Sequence, residues 1–126
     1  TILHRDLKCA NVFCTGDYVY KLGDLNVSKV TKKAMARTHT GTPYYTSPEV
    51  WKDRPYDSKC DIWSLGCVIY EMASLKPPFR GRDLRELYKK IEKGIFDRIP
   101  SFYSDDLQNV INLCLKVNPV LRPTTA

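Results

Sequence analysis

The segment from Asp57 to Phe79 constrains the fold more than any other part of the chain. Apolar residues recur there at helical spacing, and further apolar side chains fill the other faces: Ile62, Leu65, Ile69 and Met72, then Trp63, Val68 and Tyr70. Asp57 and Ser58 are suited to cap the start of a helix, and Lys76-Pro77-Pro78-Phe79 ends it. A helix that is apolar on nearly all sides is buried, so we expect it at the centre of the domain.

Two more helices follow the central segment. The first runs from Asp83 to Lys93 and ends at Gly94, with an apolar side made of Leu84, Leu87, Tyr88 and Ile91. The second is capped by Ser104, and two aspartates in its first turn favour the positive end of the helix dipole, Asp105 and Asp106. Its apolar positions are Leu107, Val110, Ile111, Cys114 and Leu115.

Upstream of the helices, the sequence predicts a β-hairpin and a long loop. Strands at Val12–Cys14 and Tyr18–Leu22 flank the turn residues Thr15-Gly16-Asp17. From Lys32 to Pro48 the sequence is polar and has no period, and long loops in compact domains usually have a function. The predicted fold class is therefore mainly α with a small β-hairpin at one edge.

Composition and charge exclude several classes of function. None of the 126 residues belongs to an apolar run long enough to span a membrane. The 5 cysteines form no C-x-x-C pair and only 2 histidines are present, which favours free thiols in a reducing cytosol over a zinc site. The net charge of +6 comes from dispersed basic residues rather than the concentrated stripe that nucleic-acid binding requires. Solvated faces, or the binding of a phosphate group, are the two interpretations that remain.

A run near the N-terminus combines an acid, three basic residues and an amide: His4-Arg5-Asp6-Leu7-Lys8-Cys9-Ala10-Asn11. This run resembles the catalytic loop H-R-D-L-x-x-x-N of protein kinases. Four more runs follow in the order of kinase motifs: Asp24-Leu25-Asn26 in place of D-F-G, Ser47-Pro48-Glu49 in place of A-P-E, DIWSLG at 61–66 for the start of the central helix, and Arg122-Pro123. The resemblance covers essentially the whole chain and implies the C-terminal lobe of the kinase fold.

The closer resemblance is to the NIMA-related (NEK) kinases. It rests on LHRDLKCANVF at 3–13, GTPYYTSPE at 41–49, YDSKCDIWSLGCVIYE at 56–71 and LKPPF at 75–79. It implies a non-specific serine/threonine protein kinase that binds ATP and Mg²⁺ and phosphorylates Ser or Thr of protein substrates. It also implies a cytoplasmic location, in association with cilia, basal bodies or microtubules.

The resemblance implies a catalytic or ligand-binding role for each of several residues. Asp6 would be the base that orients the acceptor hydroxyl, and Lys8 would place a cation on the transferring phosphate. Thr42 would bridge Asp6 and Lys8. Asn11 and Asp24 would supply the hard oxygen ligands that Mg²⁺ requires. The alternative for each is ordinary, because Asp and Asn in loops commonly serve as turn or capping residues.

Other motif residues are expected to fix the architecture. Glu49 and Arg122 should form a buried ion pair, which sets geometry and is costly to break. Asp61 should hold the backbone of the catalytic loop from the central helix. His4 and Leu25 should belong to the hydrophobic stack between the two lobes.

Arg5 indicates regulation. We expect it to be buried near the activation loop, where its charge favours an anionic partner. Phosphorylated Thr38 would supply that charge and its acceptor oxygens, with Thr40 as the competing site. The alternative is that both are solvated loop threonines.

Two features depart from the kinase pattern. Asn26 stands where kinases have glycine, and Asn is the next most tolerant residue of a positive φ. The chain also begins without Met and lacks the Gly-rich loop, the strand lysine and its helix glutamate. We therefore expect residues 1–126 to be a partial kinase domain that alone neither binds ATP tightly nor turns over. The runner-up function is a non-catalytic, pseudokinase-like scaffold.

Overall fold

The computed structural model describes residues 3–24 and 43–125. In chain order it contains strands β1 (Val12–Cys14) and β2 (Tyr20–Leu22) and helices α1 (Pro48–Trp51), α2 (Lys59–Ser74), α3 (Leu84–Lys93) and α4 (Asp105–Cys114), with 3₁₀ turns at Cys9–Asn11 and Pro119–Leu121. Within these ranges the architecture is rich in helix and has one two-stranded sheet, as predicted. No helix in the described ranges is long and apolar enough to cross a membrane.

The hairpin is antiparallel, with Val12 opposite Leu22 and Cys14 opposite Tyr20. Its second strand begins at Tyr20, so the prediction that it begins at Tyr18 was wrong. Tyr18 has a φ of 60°, and its N–H donates to the carbonyl of Thr15 at 2.9 Å. A left-handed residue cannot continue a strand, so Tyr18 belongs to the turn.

Helix α2 occupies the centre of the core, as predicted. Trp63, Cys67 and Tyr70 are at most 1% exposed, and Trp63 stacks on Phe79 with 5.4 Å between ring centroids. The predicted stripe was partly wrong, because Leu65 and Met72 are 36% and 47% exposed. The packed face of α2 is the one on which residues 63, 67 and 70 lie, and the two exposed residues lie on the opposite side.

The ends of α2 differ from the predicted ends in detail. Ser58 is the capping position but its hydroxyl makes no capping bond, whereas Asp57 Oδ1 accepts from the N–H of Lys59 at 2.9 Å. At the other end, Leu75 adopts φ 57° and ends the helix before Lys76. The Pro-Pro run therefore follows a helix that a left-handed residue has already closed.

Helix α3 begins and ends as predicted, and α4 begins as predicted. Asp83 caps α3 by accepting from the N–H of Glu86, and Gly94 ends it with a φ of 64°. Ser104 caps α4 by accepting from the N–H of Leu107. Two residues assigned to the apolar faces of these helices are largely exposed instead, Leu84 at 54% and Val110 at 47%.

The predicted loop from Lys32 to Pro48 falls largely on residues outside the described ranges. Its end was placed too late, because Pro48 is already the first residue of α1. Proline fits the first turn of a helix, where its missing N–H has no helical partner in any case.

Candidate active site

The site begins at His4 and Arg5, which we call the catalytic turn because Arg5 has a left-handed backbone, and α2 contacts it through Asp61. The backbone N–H groups of His4 and Arg5 donate to the two carboxylate oxygens of Asp61, at 2.8 and 2.9 Å. Arg5 has a φ of 66°, which is unfavourable for a residue with a side chain. The carboxylate compensates by accepting both N–H groups, so the predicted contact between Asp61 and this backbone is present.

The side chain of Arg5 lies on the surface, so the prediction that it is buried was wrong. Asp61 binds the backbone of the turn and not its guanidinium, so nothing in this contact draws the side chain inward. The two threonines predicted to interact with Arg5 when phosphorylated, Thr38 and Thr40, lie outside the described residues.

Asp6, Lys8 and Asn11 converge at the surface next to this turn. The carboxylate Oδ2 of Asp6 lies 3.0 Å from Lys8 Nζ and 3.3 Å from Asn11 Nδ2. Asn11 is only 6% exposed, and its Nδ2 also donates to the Asp6 carbonyl at 2.8 Å. The side chain of Asp6 is itself 52% exposed. A carboxylate is thus oriented by an amide, placed beside a cation and left open to an incoming hydroxyl.

The hairpin brings Asp24 to the same region. Gly23 donates its N–H to the Asn11 carbonyl at 2.9 Å, and its own carbonyl lies 3.1 Å from His4 Nε2. Asp24 follows directly, is exposed, and has a φ of 56°. Asp is one of the residues that best tolerate that conformation. The apolar stack predicted for His4 stays a prediction, and the structure shows that the His4 ring contacts this backbone.

The predicted Mg²⁺ ligands have the right atoms for that ion. Because Asn11 Nδ2 is the donor in both of its bonds, the amide oxygen is the atom that can ligate a cation, and Asp24 offers a carboxylate. Mg²⁺ is usually held by one or two such oxygens together with water and substrate phosphates. No group of three or more His, Cys, Asp or Glu side chains that could hold a metal ion occurs within 3–24 and 43–125.

A second cluster below the site was not predicted from the sequence. The hydroxyl of Tyr45 donates to Glu71 Oε2 at 2.5 Å, and the thiol of Cys9 lies close to both residues. Burial, followed by the nearby carboxylate of Glu71, raises the pKa of Tyr45. The cluster joins the catalytic turn, the segment before α1 and the central helix. Glu71 is the one acidic residue in the otherwise apolar second half of α2, a signal that could have revealed the cluster.

The predicted ion pair of Glu49 and Arg122 is present and buried. The two guanidinium NH groups reach the two carboxylate oxygens at 2.6 and 2.8 Å. The remaining N–H donors of Arg122 reach three backbone carbonyls: Lys116, Val117 and Lys59. Burial alone would raise the pKa of Glu49, but the bonds from Arg122 outweigh it and hold the pKa below its ordinary value.

Two other predicted residues cannot be placed. Leu25 and Thr42 lie outside the described residues, as does Asn26. The site that the structure does describe therefore consists of Asp6, Lys8, Asn11 and Asp24, supported by Asp61.

Comparison with known proteins identifies the family of the chain. The protein kinase domain family matches residues 1–126. The chain is 47% identical, over 100% of its length, to the G2-specific protein kinase nimA of Emericella nidulans, and 48% identical, over 98%, to the probable serine/threonine-protein kinase nek3 of Dictyostelium discoideum. It is 46% identical, over 98%, to the serine/threonine-protein kinase Nek2 of Homo sapiens. The chain spans 18%, 12% and 28% of the lengths of these three relatives. The chain therefore belongs to the protein kinase family and is similar to its NIMA-related serine/threonine kinases.

Proposed function

We propose that residues 1–126 form the part of a Ser/Thr protein kinase domain that positions the acceptor hydroxyl and the metal during phosphoryl transfer from ATP. In the kinase fold this part is the C-terminal lobe, with the catalytic loop, the activation segment, the central helix and the helices that follow it. The observation that carries the proposal is the convergence of the Asp6 carboxylate with Lys8 Nζ at 3.0 Å and Asn11 Nδ2 at 3.3 Å.

Each residue of the site has a separate task in the proposed reaction. When bound, ATP supplies the γ-phosphoryl group, and Mg²⁺ neutralises charge on the phosphates. Asp6 accepts a hydrogen bond from the Ser or Thr hydroxyl of the protein substrate and takes its proton. Lys8 places its ammonium beside the same carboxylate, where it faces the transferring group. Asn11 and Asp24 contribute oxygen ligands to the metal.

The Asp61 contacts support this assignment. Positioning is most of what a protein contributes to phosphoryl transfer, because the reaction needs little covalent help. Asp61 fixes two successive N–H groups directly before Asp6. The base is therefore held by the core helix rather than by a loose loop.

The test is phosphate transfer from Mg-ATP to a Ser/Thr peptide substrate by the full-length protein. We expect Asp6→Asn to lower the rate by about 100-fold or more, because it removes the group that accepts the proton. Asp53→Asn is the matched control, since Asp53 is also an exposed aspartate but lies outside the run from His4 to Asn11. Transfer by Asp6→Asn at the rate of the control would show that Asp6 is not the base.

Absence of phosphate transfer would favour the alternative function, a non-catalytic scaffold. If the unaltered full-length protein transferred no phosphate even after phosphorylation of its activation segment, the catalytic proposal would fail. Restoration of transfer by Asn26→Gly would then trace the failure to that one departure from the kinase pattern.

A further inference from the structure

Helix α3 presents a row of basic side chains on the side opposite to the core. Leu87 and Ile91 are buried, at 1% and 0% exposed, whereas Arg85, Lys89 and Lys93 are exposed. The three basic residues are four positions apart, so they share one helix face with about 6 Å between successive positions. We call Arg85, Lys89 and Lys93 the basic ridge.

The carboxylates of α3 do not neutralise the basic ridge. Glu86 is engaged with Arg82 at 3.0 Å and with Lys90 at 3.2 Å, and Glu92 is paired with Lys52 at 2.7 Å. The bonds from Arg82 and Lys90 lower the pKa of Glu86 to about 2, so this carboxylate stays charged and occupied. In the part of the chain that the structure describes, no carboxylate lies within ion-pair distance of a ridge nitrogen.

The basic ridge is electrostatically unfavourable in the free protein. Like charges at positions four apart on a helix repel each other. Arg85 also stands in the first turn, where the positive end of the helix dipole disfavours a cation, whereas Lys93 stands in the last turn, where the dipole favours one. A ligand that brings negative charge to this face relieves both effects.

We propose that the basic ridge binds an acidic segment of a protein partner, in an extended conformation with Asp or Glu at alternate positions. Side chains on one side of an extended chain repeat at about 6.7 Å, which is close to the spacing along the ridge. Each ridge cation then meets one carboxylate. This surface is separate from the proposed catalytic residues, and its binding can be measured whether or not the protein transfers phosphate.

Single-stranded nucleic acid fits the basic ridge less well. Its binding sites combine a basic groove with aromatic side chains on which bases stack. The aromatic residue of α3, Tyr88, is half-buried and packs against Trp51 with 5.5 Å between ring centroids. The ridge thus offers charge without a stacking surface, which favours carboxylates.

The experiment measures binding of a labelled peptide, in which Glu alternates with Ser, to the full-length protein by fluorescence anisotropy at low ionic strength. The test variant is Arg85→Gln/Lys89→Gln/Lys93→Gln. The control variant, Lys21→Gln/Lys76→Gln/Lys116→Gln, removes the same charge at positions outside α3. Gln has a high helix propensity, and an unchanged circular dichroism spectrum will show that the test variant is folded.

We expect the test variant to weaken binding by about tenfold or more and the control variant by about twofold or less. Equal weakening in both variants would mean that only net charge matters and would overturn the proposal, as would absence of binding to the unaltered protein. A peptide of the same composition with its Glu residues grouped should bind more weakly. Equal binding of that peptide, or tighter ridge-dependent binding of an oligouridine, would contradict an extended acidic protein segment as the ligand.

Discussion

Arg122 places a full positive charge in the core, and the surrounding residues satisfy all of its hydrogen-bonding capacity. Its side chain is 0% exposed, and its Cζ lies 5.0 Å from the centre of the Trp63 ring. Its five N–H donors are divided between the Glu49 carboxylate and three backbone carbonyls. Breaking one partner of such a pair leaves an uncompensated buried charge.

Glu49→Gln is therefore expected to lower the free energy of unfolding by about 3 kcal/mol or more at pH 7. Chemical denaturation of the full-length protein measures this change. Glu92→Gln is the matched control, because the pair of Glu92 with Lys52 is much more exposed and should contribute far less. A loss no larger than that of the control would show that the Arg122 charge is satisfied without Glu49.

The same pair predicts how stability depends on pH. The folded protein lowers the pKa of Glu49 from its ordinary value of 4.5. Its contribution is therefore fully present above about pH 4.5 and is lost as the pH falls through the lower pKa of the folded state. Glu49→Gln has no such group, so we expect its stability to fall less steeply between pH 5 and pH 3 (roughly the carboxylate range). Parallel curves for the two proteins would contradict this assignment.

Tyr45 and Glu71 offer a second test at the scale of single residues. The bond between them is 2.5 Å long and ends on a charged group. Hydrogen bonds to charged groups contribute more than neutral ones, so Tyr45→Phe should lower the free energy of unfolding by about 1–2 kcal/mol. Tyr56→Phe serves as the control, because the hydroxyl of Tyr56 has no hydrogen bond within the described residues. Equal effects would show that the Tyr45 hydroxyl contributes no more than an ordinary surface hydroxyl.

At the scale of the elements, the packing of α2 against α4 depends on Gly66. A Cβ atom at this position would lie 2.6 Å from Cys114 Cβ and 3.1 Å from Leu115 Cδ2. Helix propensity alone favours Ala over Gly by about 1 kcal/mol. The contact with Cys114 cannot be relieved by rotating a side chain, because Cβ is fixed to the backbone.

We therefore expect Gly66→Ala to destabilise the protein by about 1–3 kcal/mol, as overpacking in a core usually does. Thermal or chemical unfolding measures this change. Gly16→Ala is the control, because nothing lies within 4 Å of the added Cβ in the hairpin turn. Stabilisation by Gly66→Ala would mean that α2 and α4 can separate at little cost.

The helices differ in how far the sequence predicted them. Both ends of α3 and the start of α4 could be predicted because single residues determine them: Asp83, Gly94 and Ser104. The buried face of α2 could not, because nearly every face of that helix is apolar. Which face is buried depends on packing partners outside the helix, α4 and Phe79, which the pattern within the helix does not identify.

In the candidate site, too, the residues that lie close together in the sequence could be predicted and the remote ones could not. Asp6, Lys8 and Asn11 lie in one short run, so their proximity could be predicted from spacing. The cluster of Cys9, Tyr45 and Glu71 joins three remote segments, and the only local sign of it is the single acidic residue in the second half of α2. The sequence also did not predict that the side chain of Arg5 is exposed. Asp61 contacts the backbone of Arg5, and this contact does not determine where the side chain lies.

At the scale of the whole molecule, the hairpin leaves much apolar surface in contact with solvent. Phe13, Tyr20 and Leu22 are each more than half exposed, at 55%, 58% and 52%. Two hollows on the surface, of about 400 and 280 Å³, are lined by neither Asp6, Asn11 nor Asp24. Small-molecule sites are usually enclosed and largely apolar, and the open surface around Asp6 has no such enclosure among these hollows.

We therefore expect the 126-residue chain, produced alone, to bind Mg-ATP far more weakly than the full-length protein does. Isothermal titration calorimetry of both proteins measures the difference. Micromolar affinity of the 126-residue chain would contradict this expectation.

The same titration can be made with the Asp24→Asn variant of the full-length protein. We expect the binding of ATP by this variant to depend less on Mg²⁺, because the variant removes a charged ligand.

The contacts of the Asp61 carboxylate also determine when, during synthesis, the turn at His4 and Arg5 can form. Its bonds to His4 and Arg5 span 57 and 56 residues. During synthesis the first residues of the turn leave the ribosome well before Asp61 exists, and domains fold as units once their parts are available. The turn before Asp6 can therefore reach its left-handed conformation stably only after α2 has emerged. A nascent chain that stops short of α2 contains the whole catalytic run and yet cannot shape it.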